Sequence, residues 1–152
     1  MPKSKSPKGA AFLLRRALAA LAAGGLIGGC AALTEREAVR VLEDIEAGAG
    51  PSALKRETPT PTRRALTHAR VEGALSADLY VPGDAPRAGL VLTPGLTPLG
   101  KDDPRLIALA ESFARAGFLT LTPDVPGSRR MRFSPRDADV IAAAALALEA
   151  EL

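Results

Sequence analysis

This chain is poor in the side chains on which most site chemistry depends. Its 152 residues include one cysteine, one histidine, one tyrosine and no tryptophan. A single cysteine excludes an intrachain disulfide, and one cysteine with one histidine leaves no soft-ligand set for zinc. Aromatic residues make up 3% of the chain and do not alternate with basic ones, so no base-stacking platform for nucleic acid is present. No glycine-rich stretch ends in Gly-Lys-Ser or Gly-Lys-Thr, and the run from Gly95 to Gly100 does not fit a phosphate-binding loop. Asp102-Asp103 beside Lys101 reads as a helix entrance rather than a cation site. No metal or other cofactor is expected.

What is present begins with an asymmetric amino terminus. Lys3, Lys5, Lys8, Arg15 and Arg16 supply five positive charges and no acid, and eleven small or apolar residues follow at 17–27. Eleven helical residues span about 16 Å against a hydrocarbon core of about 30 Å, the length of a signal-peptide core and too short for a stable anchor. The run closes on Ile27-Gly28-Gly29-Cys30, which resembles the bacterial lipoprotein signal: an aliphatic residue, two small residues, then cysteine. That resemblance implies a signal peptide at 1–29, cleavage before Cys30, a diacylglyceryl thioether on its sulfur and acylation of the new amino terminus. The partner is then a membrane, since each buried CH2 contributes about 0.8 kcal/mol. The other reading of Cys30 is an ordinary buried thiol. Ala31 is not the Asp that resembles an inner-membrane retention cue, which points to the periplasmic side of the outer membrane of a Gram-negative bacterium. Arg15-Arg16 resembles a twin-arginine signal in the pair alone, because Leu14 and Ala17-Leu18 depart from that pattern.

Cleavage also changes the charge. All 17 acidic residues follow position 29 but only 15 of the 20 basic ones do, so a chain starting at Cys30 carries −2. The basic pI is a property of the leader, and nucleic acid is not expected as a partner.

Residues 30–63 read as an amino-terminal helix and linker. Thr34 with Glu37 makes a capping box, Ala38, Val41, Leu42 and Ile45 share one face, and Gly48 can close the helix. That stripe docks either on the following domain or on the membrane beside the lipid. Glycine and proline between 48 and 62 predict a tether or crossing loop. From 64 to 152 the pattern is α/β. Leu75, Ala77, Leu79 and Val81 alternate with polar residues as a half-buried strand does, with residues 64–71 as a hairpin partner. Leu90-Val91-Leu92 reads as a short strand covered on both faces. Asp103 as N-cap, Pro104 at the first turn, an apolar face of Leu106, Leu109, Ala110 and Phe113, and Gly117 as terminator predict a helix, and residues 118–122 a second strand. Strand, helix, strand in this span is a parallel βαβ unit. Ser134 and Asp137 form a second capping box that opens an Ala-rich helix.

Leu79-Tyr80-Val81-Pro82, then Val91-Leu92-Thr93-Pro94-Gly95-Leu96, then Ala116-Gly117-Phe118 leading to Pro123-Asp124-Val125-Pro126-Gly127, together resemble the amino-terminal half of an α/β-hydrolase of the dienelactone-hydrolase and esterase kind. The resemblance implies a partial α/β-hydrolase sheet: an amino-terminal hairpin, one βαβ unit and a following helix, without the nucleophile-elbow strand. In that family the loop after the third strand reads His-Gly-x and helps form the oxyanion hole. Here Pro94 replaces the histidine, Gly95 follows, and Leu96 would supply the backbone N–H. The family then needs a Gly-x-Ser-x-Gly elbow followed by an acid and a histidine, and this chain has no such elbow. His68 precedes every expected catalytic element and is expected to face solvent. Ser112, Ser128 and Ser134 read as a helix-surface, a loop and a capping residue, and Asp124 as a turn or helix cap.

The resemblance therefore implies a lipid-anchored hydrolase-like protein. Its full-length relatives would cleave a small ester or acyl substrate through a Ser-His-Asp triad, while this chain alone is expected to be inactive, with no catalytic residue of its own. It also implies a third strand whose outer edge, where the family places a fifth strand, is unpaired here, and hence marginal stability. The alternatives are a non-catalytic, membrane-anchored binding or scaffold lipoprotein and a βαβ module of unrelated function.

Overall fold

The computed structural model describes residues 33–70 and 73–152. The leader and Cys30 lie outside the described residues. The first helix, α1 (Glu35–Ala47), starts as its capping chemistry requires. Thr34 is extended, its Oγ1 accepts the Glu37 N–H at 3.3 Å, and the Glu37 carboxylate accepts the Thr34 N–H at 2.8 Å. That backbone N–H, with Arg87 at 3.1 Å, pulls the Glu37 carboxyl down to about 2. Gly48, at φ +53°, ends the helix in a conformation that disfavours a side chain.

The 48–62 stretch is not a bare tether. Ser52 caps a short helix, α2 (Ala53–Glu57), by accepting the Lys55 N–H at 3.0 Å, and Leu54 is buried beneath it. The glycines and prolines stand only at its flanks, which leaves one uninterrupted turn with a polar cap and an apolar anchor.

The four strands are β1 (Thr62–Arg70), β2 (Gly73–Val81), β3 (Ala88–Val91) and β4 (Phe118–Pro123). They form one mixed sheet in the order β1-β2-β4-β3. The β1–β2 hairpin is antiparallel with Thr62 opposite Val81, β2 runs antiparallel to β4, and β3 runs parallel to β4 with Leu90 opposite Thr120. Helix α3 (Pro104–Arg115) connects β3 to β4 and is capped by Asp103, which accepts the Arg105 N–H at 2.9 Å. Gly117, at φ +90°, makes the turn out of α3. After a four-residue helix, α4 (Pro126–Arg129), comes the last helix, α5 (Pro135–Glu149).

Strand alternation splits the core into two layers, one on each face of the sheet. On one face Leu75, Ala77, Leu79, Leu119 and Leu121 meet Val140, Ala144, Ala147 and Leu148 of α5. On the other, Tyr80 meets Ala110 and Ala114 of α3, and Thr120 and Thr122 are wholly buried on that side too. Each fully buried leucine contributes about 1.5–3 kcal/mol, so the α5 face carries most of the apolar stabilisation.

Three further expectations change. The 90–92 strand is not covered on both faces: β3 is a half-buried edge strand, Gly89 within it is exposed, and its outer side has no partner among the described residues. Leu42 does not share the buried face of α1 and is largely exposed, because α1 is turned to bury Asp44 instead. The Asp44 carboxylate accepts hydrogen bonds from the hydroxyls of Ser52 and of Ser112 (2.6 Å) and from the Lys55 ammonium at 2.8 Å. Ser112 is accordingly buried, not a helix-surface residue. Helix α1 thus docks on α3, within the domain that follows it.

Candidate functional site

The carboxyl ends of the parallel strands β3 and β4 lie side by side, the place where open α/β sheets bind ligands. Two loops meet there. The first leaves β3 through Thr93-Pro94-Gly95-Leu96, with Pro94 buried and Gly95 and Leu96 exposed. The second turns from β4 through Asp124 into α4, whose Ser128 is wholly buried and donates its hydroxyl to the Gly95 carbonyl. That bond joins residues 33 apart in sequence and fixes the first loop from below. The Gly95 and Leu96 N–H groups donate to no acceptor among the described residues. A shallow cleft of about 350 Å³ opens beside them, lined by Pro94, Gly95, Leu96, Leu106 and Leu109.

Behind the loop lies an alternating charge network. The Asp78 carboxylate, buried in β2, accepts from Arg63 at 2.6 Å and from Lys101 at 2.8 Å. Asp102 accepts from Lys101 at 3.2 Å and from Arg129 at 2.8 Å, and Arg129 also donates to Asp124 at 2.9 Å. Burial works against the Lys101 charge, but the hydrogen bonds to Asp78 and Asp102 outweigh it and hold the ammonium above its ordinary range. The Arg129 hydrogen bond holds Asp102 below the usual carboxylate range. Gly100, at φ +56°, lets the 3₁₀ turn Gly100–Asp102 lie against the Arg129 side chain, where a Cβ would come within 2.9 Å. Every charge in this network has a partner, so none is poised as a general base.

The other singled-out residues are dispersed. His68 is exposed on β1, Ser134 caps α5, and Asp124 is an ion-pair partner of Arg129 rather than a helix cap. Tyr80, legible in the sequence only as part of a strand, is completely buried with Arg63 5.6 Å from its ring centre, and its hydroxyl has no hydrogen-bond partner among the described residues. Burial pushes the phenol above its ordinary range. Among the described residues no group of three or more His, Cys, Asp or Glu is arranged to hold a metal ion, and no helix is long and apolar enough to cross a membrane. No family model, curated protein or solved structure matches the chain.

Proposed function

We propose that this chain presents the oxyanion side of an acyl-transfer site on an α/β-hydrolase-like scaffold, held at a membrane through Cys30, and that it carries no nucleophile of its own. The observation that carries the reading is the loop after β3: two unengaged N–H groups, at Gly95 and Leu96, on a turn pinned by Ser128. Paired backbone donors of this kind stabilise a carbonyl oxygen as it gains negative charge, and fixing them in advance is what gives them catalytic value. The open outer edge of β3 supports the same reading, because the resemblance puts the elbow-bearing strand there. The three serines singled out from the sequence are otherwise engaged: the hydroxyls of Ser112, Ser128 and Ser134 donate to Asp44, to the Gly95 carbonyl and to Asp137 respectively.

The test has two arms. In the isotope-labelled chain, butyrate is expected to shift the amide resonances of Gly95 and Leu96, and resonances that stay fixed at both positions overturn the oxyanion reading. With p-nitrophenyl acetate the rate is expected not to exceed that of free imidazole, and attachment of a fluorophosphonate probe overturns the absence of a nucleophile. A non-catalytic, membrane-anchored binding or scaffold lipoprotein is the second reading. The mutual pairing of Asp103 and Arg105, the charged residues lining the mainly apolar cleft, favours it, and it predicts no amide shift with butyrate.

A further inference from the structure

We propose that residues 130–136 form a docking surface for a bilayer containing anionic phospholipid. The segment Arg129-Arg130-Met131-Arg132-Phe133-Ser134-Pro135-Arg136 places four arginines in eight residues, whereas the other residues after position 29 hold 11 basic against 17 acidic side chains. Arg129 is engaged by Asp102 and Asp124, but Arg130, Arg132 and Arg136 form no hydrogen bond or ion pair through their side chains among the described residues. The three line one concavity of about 200 Å³ together with Ser134 and Asp137, whose carboxylate is taken up by the Gly127 and Ser134 N–H groups. Between them Met131 and Phe133 are each 54% exposed.

The display is built, not slack. Met131 is the only non-glycine residue at positive φ among the described residues, at +57°, a conformation disfavoured for any residue with a Cβ. It is held there because its N–H donates to the Ser128 carbonyl at 3.0 Å and the Arg132 N–H donates to the Gly127 carbonyl at 2.9 Å. Gly127 is buried so tightly that a Cβ would lie 2.7 Å from the Arg132 oxygen. The Asp137 carboxylate, turned inward, accepts the Gly127 N–H at 3.0 Å and the Ser134 N–H at 2.6 Å, tying both ends of the loop to the start of α5. Asp139 is the nearest exposed acid on α5.

A free anion would use the arginines and leave the exposed methionine and phenylalanine without a role. A membrane interface uses both, since arginines meet lipid phosphates while apolar side chains between them enter the headgroup region. Docking of this kind needs neither acylation of Cys30 nor the oxyanion reading, although a lipid on Cys30 would keep a bilayer within reach.

The chain lacks tryptophan, so Phe133→Trp in the full chain, with Cys30→Ser to prevent acylation, makes the introduced indole the sole reporter. Mixed phosphatidylglycerol and phosphatidylcholine vesicles are expected to shift its emission to the blue, and brominated acyl chains to quench it. Arg130→Gln, Arg132→Gln and Arg136→Gln together should weaken the partitioning seen by that indole about a hundredfold, and added salt should weaken it as well. The leader is common to all these proteins, so a second reporter at exposed Leu146 (Leu146→Trp with Phe133 retained) should keep its aqueous emission. The proposal is overturned if the Phe133→Trp reporter stays aqueous on vesicles that sediment the protein, or if both reporters are quenched equally. A response of the Phe133→Trp reporter to single-stranded DNA or inorganic phosphate but not to vesicles overturns it too.

Discussion

Replacing Asp44 should loosen the amino-terminal helices from the sheet domain and remove part of the acid sensitivity of folding. The carboxylate is 1% exposed and joins α1 to Ser52 and Lys55 of the α2 segment and to Ser112 of α3, 68 residues away. Burial alone would raise its pKa, but the hydrogen bonds from Lys55, Ser112 and Ser52 outweigh that and hold it below the usual range. In Asp44→Ala two hydroxyl bonds and one ammonium pair are lost. Ser112 keeps its bond to the Ala108 carbonyl at 2.9 Å, and Lys55, partly exposed, keeps Gly48 at 2.7 Å. The loss should therefore fall somewhat short of the roughly 3–5 kcal/mol seen when a buried pair loses one member, at about 2–4 kcal/mol. Asp44→Asn, which keeps the volume and one acceptor, should cost about half as much. The sign with pH follows from the depressed folded pKa. The stabilisation is present above the unfolded carboxylate value of about 3.9 and is lost as pH falls through the folded value. Urea unfolding followed by circular dichroism from about pH 2 to 7 measures both. Asp44→Asn should flatten the acid limb relative to the parent and leave the part due to Glu37, Asp102, Asp103 and Asp137, whose carboxyls are also held low. Parallel pH profiles for the two proteins, or a loss below about 0.5 kcal/mol for Asp44→Ala, would refute the reasoning.

Two further substitutions separate core from surface. Leu121→Ala, at a fully buried position between β4 and α5, should cost about 2–5 kcal/mol by urea denaturation, while Leu42→Ala on the exposed face of α1 should stay within about 0.5 kcal/mol. Tyr80→Phe removes a buried hydroxyl with no partner, so thermal unfolding should show it neutral or more stable by about 1 kcal/mol. A loss above about 1 kcal/mol would reveal a bond to that hydroxyl.

Local chemistry was the legible part of this fold. Thr34, Asp103, Ser134 and the turn glycines Gly48 and Gly117 act over three or four residues, and each stands where its capping or turn role predicts. Period-two alternation located β2 for the same reason. The loop at Gly95 and Leu96 was singled out by the family resemblance and not by a local pattern, and the structure keeps both residues exposed beyond the end of β3. What stayed hidden is polar and buried. Asp44, Ser112 and Ser128 look like surface residues to any pattern that sorts by hydrophobicity. Their partners lie 68 residues away for Asp44 with Ser112 and 33 for Ser128 with Gly95, beyond any local window. Thr120 and Thr122 read as the wet face of a strand, yet both are wholly buried on the α3 side of the sheet. The partial exposure of β3 was obscured because three consecutive apolar residues are equally consistent with a strand covered on both faces.

These hidden polar contacts share a logic that bears on the candidate site. An apolar core fixes how far apart layers sit but tolerates rotation and sliding of small side chains. A buried hydrogen bond does not, since an unmade one costs about 1–3 kcal/mol. Ser128 to Gly95 and Asp137 to Gly127 both anchor the start of one short segment, residues 127–137, the first against the loop after β3 and the second against α5. The same segment therefore fixes the unengaged N–H groups of Gly95 and Leu96 and displays Met131 and Phe133. Loosening it with Ser128→Ala should disturb the Gly95 and Leu96 amide resonances while leaving the α5 face of the core intact. If the backbone of the 93–97 loop kept its resonances in that variant, the buried hydroxyl would not be what holds it.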